Sequence, residues 1–96
     1  MTLTYSEQAA LDLIRLRAFI AEHDSQAAQR IAQDLVRRIE HLQTFPAFGR
    51  GVAPGPQPDA VRDAVFGPYV VRYSVRGVHV IVLRVWHQSE QRTQAI

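Results

Sequence analysis

The chain has 96 residues, no cysteine and a formal charge of +2, and 47% of its residues are hydrophobic. That length holds one small domain spanning 1–96, and the apolar share argues against disorder; the missing cysteines exclude disulfides and thiolate metal sites and fit a reducing, cytoplasmic setting. Residues 1–7 lack the basic and apolar stretches of a secretory signal, and no apolar run approaches the length that spans a membrane, so no membrane role is expected.

In chain order, Leu3-Thr4-Tyr5 is a short alternating run suited to a strand. Ser6 offers an N-cap and Glu7 suits the positive end of a helix. Ala9, Leu13, Leu16 and Ile20 then fall on one helical face. Leu11, Ile14 and Ala18 form a second stripe, which either buries against the next helix or is left for a partner. Residues 22–25 break the pattern, and Asp24 or Ser25 can cap a second helix. Ala28, Ile31, Ala32, Leu35, Ile39 and Leu42 repeat at helical spacing, with Asp34 and Arg38 as an i,i+4 pair on the polar side. The two segments predict a helical hairpin with a tight turn.

Phe45-Pro46 ends the second helix, because proline cannot continue it and disfavours helical geometry in the residue before it. Residues 49–59 contain three of the five glycines and three of the five prolines and read as a loop. Residues 61–66 predict a strand, Gly67-Pro68 a turn, and residues 69–87 a hairpin of two β-rich runs around Arg76-Gly77. The polar stretch 88–96 reads as a frayed tail. The expected fold class is α+β, in the order βααβββ, with an antiparallel sheet packed against the helical hairpin.

The strands are apolar, yet they carry Arg72 and Arg84 and end at His87. If Arg76-Gly77 is a two-residue turn, Val75 faces Val78 and Arg72 faces Ile81. One sheet face then holds Tyr69, Val71, Tyr73, Val75 and Val78, continuing through Val80 and Val82 to Arg84 and Trp86. That face is expected to be the core, with Arg84 paired to a carboxylate or reaching out to solvent. The other face would be open and hold Arg72 and His87 together, with Asp63 available to Arg72.

All eleven basic residues are arginine. Residues 1–45 carry a net charge of −1 and residues 46–96 a net charge of +3, so an anionic partner belongs on the sheet half. No Gly-rich phosphate loop, metal-ligand spacing or Ser/His/Asp arrangement is present. The acids of the sheet half are Asp59, Asp63 and Glu90, too few to build a general acid–base site around His87. No cofactor or metal is expected, and the chain reads as a binding protein rather than an enzyme.

Three motifs, in this order, are similar to those of the ParE/RelE toxin superfamily of bacterial type II toxin–antitoxin modules. They are Leu42-x-x-Phe45-Pro46-x-x-Gly49-Arg50, Gly67-Pro68-Tyr69-x-x-x-Tyr73 and Leu83-Arg84-Val85-Trp86-His87. The resemblance covers about residues 2–92. It implies growth inhibition, a role in plasmid stabilisation, and neutralisation by a cognate antitoxin whose C-terminal segment wraps the helical hairpin and sheet. Leu11, Ile14 and Ala18 are the residues it would use. DNA would be reached only indirectly, through the antitoxin.

The superfamily has a ParE-like branch that poisons DNA gyrase and a RelE-like branch that cuts mRNA in the ribosomal A site. In the nuclease branch an arginine commonly follows the position of Tyr69; here Val70 stands there, and the loop before the first sheet strand offers no Glu or Lys. His87 matches members of both branches. The resemblance therefore implies gyrase as target, bound by Arg72, Arg84, Trp86, His87 and Arg92. The alternatives are a ribosome-dependent endonuclease using Arg72 and His87, and a non-toxic relic that only binds an antitoxin.

Overall fold

A computed structural model describes residues 1–52 and 60–90. The chain runs β1 (Thr2–Tyr5), α1 (Glu7–His23), α2 (Ala28–Glu40), a 3-10 turn (His41–Gln43), β2 (Arg50–Gly51), β3 (Val61–Phe66), β4 (Tyr69–Arg76) and β5 (His79–His87). Part of the expected loop, 53–59, and the end of the expected tail, 91–96, lie outside the described residues.

Local chemistry sets the helix boundaries. The Ser6 hydroxyl accepts the Ala9 amide at 3.0 Å and starts α1. The Asp24 carboxylate accepts the Ala27 amide at 3.0 Å and forms the turn from which α2 leaves. Asp34 pairs with Arg38 at 3.1 Å and with Arg37 at 3.7 Å on the solvated side of α2.

The five strands are ordered β1-β5-β4-β3-β2. The α+β class and βααβββ order hold, with the two-residue β2 added, but the sheet is mixed rather than antiparallel because β1 runs parallel to β5. The chain leaves β1 directly into a helix, so the strand is free of the hairpin constraint that makes sequential neighbours antiparallel. β2–β3, β3–β4 and β4–β5 are antiparallel.

The β4–β5 turn also differs from the expected one. Arg76 pairs with His79, so the central residues are Gly77-Val78, not Arg76-Gly77. Gly77 has φ +60°. A turn with glycine second would also force Arg76 to positive φ, whereas glycine first confines that geometry to the residue without a Cβ. Val78 consequently sits in the turn, 63% exposed, instead of in the core. Gly67 plays the same part before Pro68.

Both helices cover one face of the sheet. Leu16, Ile20, Leu35, Ile39 and Leu42 meet Val71, Tyr73, Val80, Val82 and Val85, all buried, and Leu13 packs at the margin. The second stripe of α1 does not bury against α2: Leu11 is 52% exposed, Ile14 is 69% exposed, and Ala18 is exposed too.

Below α2, one side chain accounts for two of the sequence motifs. The Tyr73 hydroxyl accepts the Gly49 amide at 2.7 Å and donates to the Pro46 carbonyl at 2.8 Å. A Cβ on Gly49 would lie 2.8 Å from the Tyr73 ring and from the Asp63 carbonyl, so only glycine fits there. The Pro46-x-x-Gly49 break is thereby fastened to the middle of β4.

Candidate functional site

β4 and β5 pair regularly from the turn to Tyr73↔Val82, then resume at Arg72↔Arg84. Leu83 is the extra residue of a β-bulge, which shifts side-chain alternation by one position. Val80 and Val82 face the helices on the turn side of the bulge; Val85 and His87 face them beyond it. Arg84 and Trp86 therefore lie on the open face with Arg72, whose neighbours across the ladder are Arg84 and, diagonally, Trp86.

This corrects the expected faces. Trp86 and Arg84 leave the core face, and His87 joins it. The His87 ring stands edge-on to Tyr69, with centroids 5.1 Å apart, and tilts against Phe19 at 5.1 Å. Its Nδ1 accepts the Ser89 amide at 2.9 Å. Arg72 and His87 thus sit on opposite faces of the sheet. Arg92 lies outside the described residues.

On the open face, the Arg72 guanidinium makes a two-pronged pair with Asp63, at 2.8 and 3.0 Å, as expected. It also lies 5.3 Å from the centre of the Trp86 ring, a cation–π arrangement. Asp63 and burial act in opposite directions on Arg72, and the carboxylate prevails, holding its pKa above the usual arginine value. Arg50, across from Asp63 on β2, is exposed on this same face. The face presents arginines, with Trp86 beneath Arg72 and only 8% exposed, so the guanidinium groups are what it offers to an anionic partner. The described residues contain no group of three His, Cys, Asp or Glu able to hold a metal ion.

Arg84 faces Arg72 across the ladder, a like-charge pairing that would be unfavourable unaided. Its counter-charge comes from α1. The Asp12 carboxylate, 1% exposed, accepts from Arg84 Nε at 2.8 Å and Nη2 at 3.2 Å, from the Val85 amide at 2.8 Å, and from Arg15. Burial pushes the Asp12 pKa up, but Arg84, the Val85 amide and Arg15 together outweigh it and hold the carboxyl below its ordinary range. Arg15 reaches on to Glu90 at 2.8 Å and to the Val85 carbonyl at 3.1 Å. Residues 88–90 form a 3-10 turn, so the start of the expected tail is tied down.

Sequence reasoning missed Asp12, Arg15 and Glu90. The available signal was an acid inside the apolar stripe, three residues after Ala9 and four before Leu16. It also missed an aromatic hollow of ≈560 Å³ lined by Arg38, His41, Leu42, Phe45, Phe48 and Phe66, in which the Phe48 and Phe66 rings stack at 5.5 Å.

The helical side has its own groove. Between α1 and α2 a hollow of ≈220 Å³ is lined by Leu13, Ile14, Ala32 and Val36, among others, with Arg17 at its side. The exposed stripe of Leu11, Ile14 and Ala18 runs beside it on α1. No helix among the described residues is long and apolar enough to cross a membrane.

Two helices thus cover one face of a five-stranded mixed sheet, and the opposite face carries Arg50, Arg72 and Arg84. The family model for the ParE toxin of type II toxin–antitoxin systems matches residues 3–92, and the chain belongs to that family. It is 36% identical over 93 residues to Toxin RelE1 of Caulobacter vibrioides, covering 95% of this chain and 97% of that protein. Among solved structures, a chain of the chromosomal ParDE system from P. aeruginosa superposes with a TM-score of 0.75 at 24% identity, covering 91% of this chain and 95% of that one. A chain of the RelBE2 toxin–antitoxin complex from Mycobacterium tuberculosis superposes with a TM-score of 0.54 at 23% identity, over 90% and 88% of the two chains. These two likenesses show the shared fold.

Proposed function

We propose that this protein is a toxin that acts on DNA gyrase by binding, and that a cognate antitoxin neutralises it. The observation that carries the choice of mechanism is the separation of Arg72 and His87 by the β-bulge. A nuclease built on those two residues needs them within reach of the same 2′-hydroxyl and phosphate. Here one packs over Trp86 on the open face, while the other packs against Tyr69 and Phe19 on the helical face. Among the described residues the open face offers arginines, one of them stacked over the largely buried Trp86, and no proton-transfer pair, which is the equipment of a binder. Arg72, Arg84 and Trp86 are assigned to the target-binding face, and His87, packed on the helical face, lies outside that surface.

Family membership supports the antitoxin. Its apolar segment is assigned to the exposed stripe of Leu11, Ile14 and Ala18 and the groove beside it, as an amphipathic helix laid along a hydrophobic groove. The relative named Toxin RelE1 favours a second reading, a ribosome-dependent endonuclease.

Two assays with the purified protein separate the readings: supercoiling by gyrase, and a reporter mRNA on translating ribosomes. Inhibition or accumulated cleavage complexes in the first, with intact mRNA in the second, is the expected result. Cuts at A-site codons that disappear in His87→Ala would establish the nuclease instead. Silence in both, with the antitoxin still bound, would identify a relic.

A further inference from the structure

We propose that Asp12 is a positioning residue: it selects the β-bulge at Leu83 and thereby decides which side of the sheet presents Arg84 and Trp86. The inference rests on the reading above only in taking the open face as the target-binding one.

β1 ends at Tyr5↔Val82, so from Leu83 onward β5 has no strand on that edge. Its backbone groups are met by other partners in succession. The Leu83 carbonyl accepts the Ser6 hydroxyl at 3.0 Å, the Val85 amide donates to Asp12, the Val85 carbonyl accepts Arg15, and the His87 amide donates to Glu90 at 3.2 Å. The bulge lies where strand pairing hands over to side-chain pairing.

Asp12 is joined to both products of the bulge. Its Oδ2 accepts from the backbone of Val85, the residue rotated toward the helices, and from the guanidinium of Arg84, the residue rotated away. Without the extra residue, unbroken alternation would place Arg84 and Trp86 beneath the helices and expel Val85 and His87 onto the open face. The competing register would bring the Arg84 guanidinium and the Trp86 ring into the core, and it would leave the Asp12 carboxylate buried without its amide donor. Arg15, on the same helix, would still pair with it, but a buried carboxylate that loses one of its donors loses stability. The acid therefore penalises one register and stabilises the other. An apolar residue between Ala9 and Leu16 would fill the stripe without making that distinction.

The test uses the full-length protein in two variants, Asp12→Leu and Asp12→Asn, read by NMR. In the native protein, His87 ring protons are expected to show contacts to Phe19, and the indole of Trp86, the sole tryptophan, to Val70 on the neighbouring strand. In Asp12→Leu those two sets of contacts are expected to be lost, with Trp86 contacts to helix residues in their place. Asp12→Asn keeps an acceptor for the Val85 amide and loses the charge. It is expected to show a second set of resonances over residues 83–87. Inhibition of gyrase should fall in both.

If Asp12→Leu fails to fold, Asp12→Asn decides. Native contacts and a single set of resonances in a folded variant, with only a lowered melting temperature, would reduce Asp12 to a stabilising residue and overturn the proposal. Failure of Asp12→Asn to fold would overturn it too, because the acid would then be a requirement of the fold rather than a selector of register. The contacts are read without any target, so failure of the gyrase reading leaves this result intact.

Discussion

Tyr73 shows how much of this fold hangs on single polar atoms placed in apolar surroundings. Its ring is fully buried, and its hydroxyl serves two backbone groups 24 and 27 residues away in sequence. Tyr73→Phe keeps the ring and strands the Gly49 amide and the Pro46 carbonyl. A buried group left without its partner costs about 1–3 kcal/mol. The denaturation midpoint should therefore fall at an unchanged denaturant slope, a comparison that urea titration makes directly. The same reasoning explains the two arginines of the open face. Arg72 and Arg84 stand opposite each other, and each has its own carboxylate, Asp63 from the adjacent strand and Asp12 from the helix.

Among the elements, α1 has three separate tasks. One face buries Leu16 and Ile20 on the sheet, the Ser6–Arg15 stretch supplies partners to the unpaired edge of β5, and the outer stripe remains exposed. Ile14 belongs to the third task alone. Placing a charge where the side chain is already 69% exposed should leave the melting temperature within the small range of ordinary surface substitutions. Ile14→Glu is expected to weaken the complex with the cognate antitoxin, measured by calorimetry, at unchanged stability. Full affinity in that variant would move the antitoxin to another surface, and the aromatic hollow of Phe45, Phe48 and Phe66 would be the next to mutate.

At the scale of the whole molecule, the helical layer and the sheet are clasped by the network of Asp12, Arg15, Arg84 and Glu90. Burial raises the pKa of both carboxyls, but their arginine and amide partners prevail and hold both below the ordinary range. The sign of the pH dependence follows. These groups contribute stability that is fully present above the unfolded carboxylate values of about 3.9–4.3. It is lost as pH falls from there through the lowered native values. The prediction is a stability plateau from these groups through neutral pH and a decline in the acid range. Urea midpoints measured from pH 6 down to pH 2 should show that decline, and Asp12→Asn should show a shallower one.

Periodicity and local chemistry read from the sequence were sufficient for the two helices, the hairpin strands, their order and the inward placing of Val71, Tyr73, Val80 and Val82, but not for the turn residues or the exposure of Val78. Those features follow from nearest-neighbour physics: apolar spacing, a serine cap, a proline stop, a glycine at positive φ. The pairing of Asp63 with Arg72 was also legible, because adjacent strands in one β-hairpin constrain each other. The parallel placement of β1, the exposure of Leu11 and Ile14, and the faces taken by Arg84, Trp86 and His87 came only with the tertiary structure. Each depends on residues far apart in the chain. Where β1 ends determines where β5 loses its neighbour, and a carboxylate more than 70 residues earlier meets the amide of Val85. A single inserted residue in a strand leaves the apolar pattern almost unchanged while exchanging the two faces beyond it, so alternation alone could not place the site.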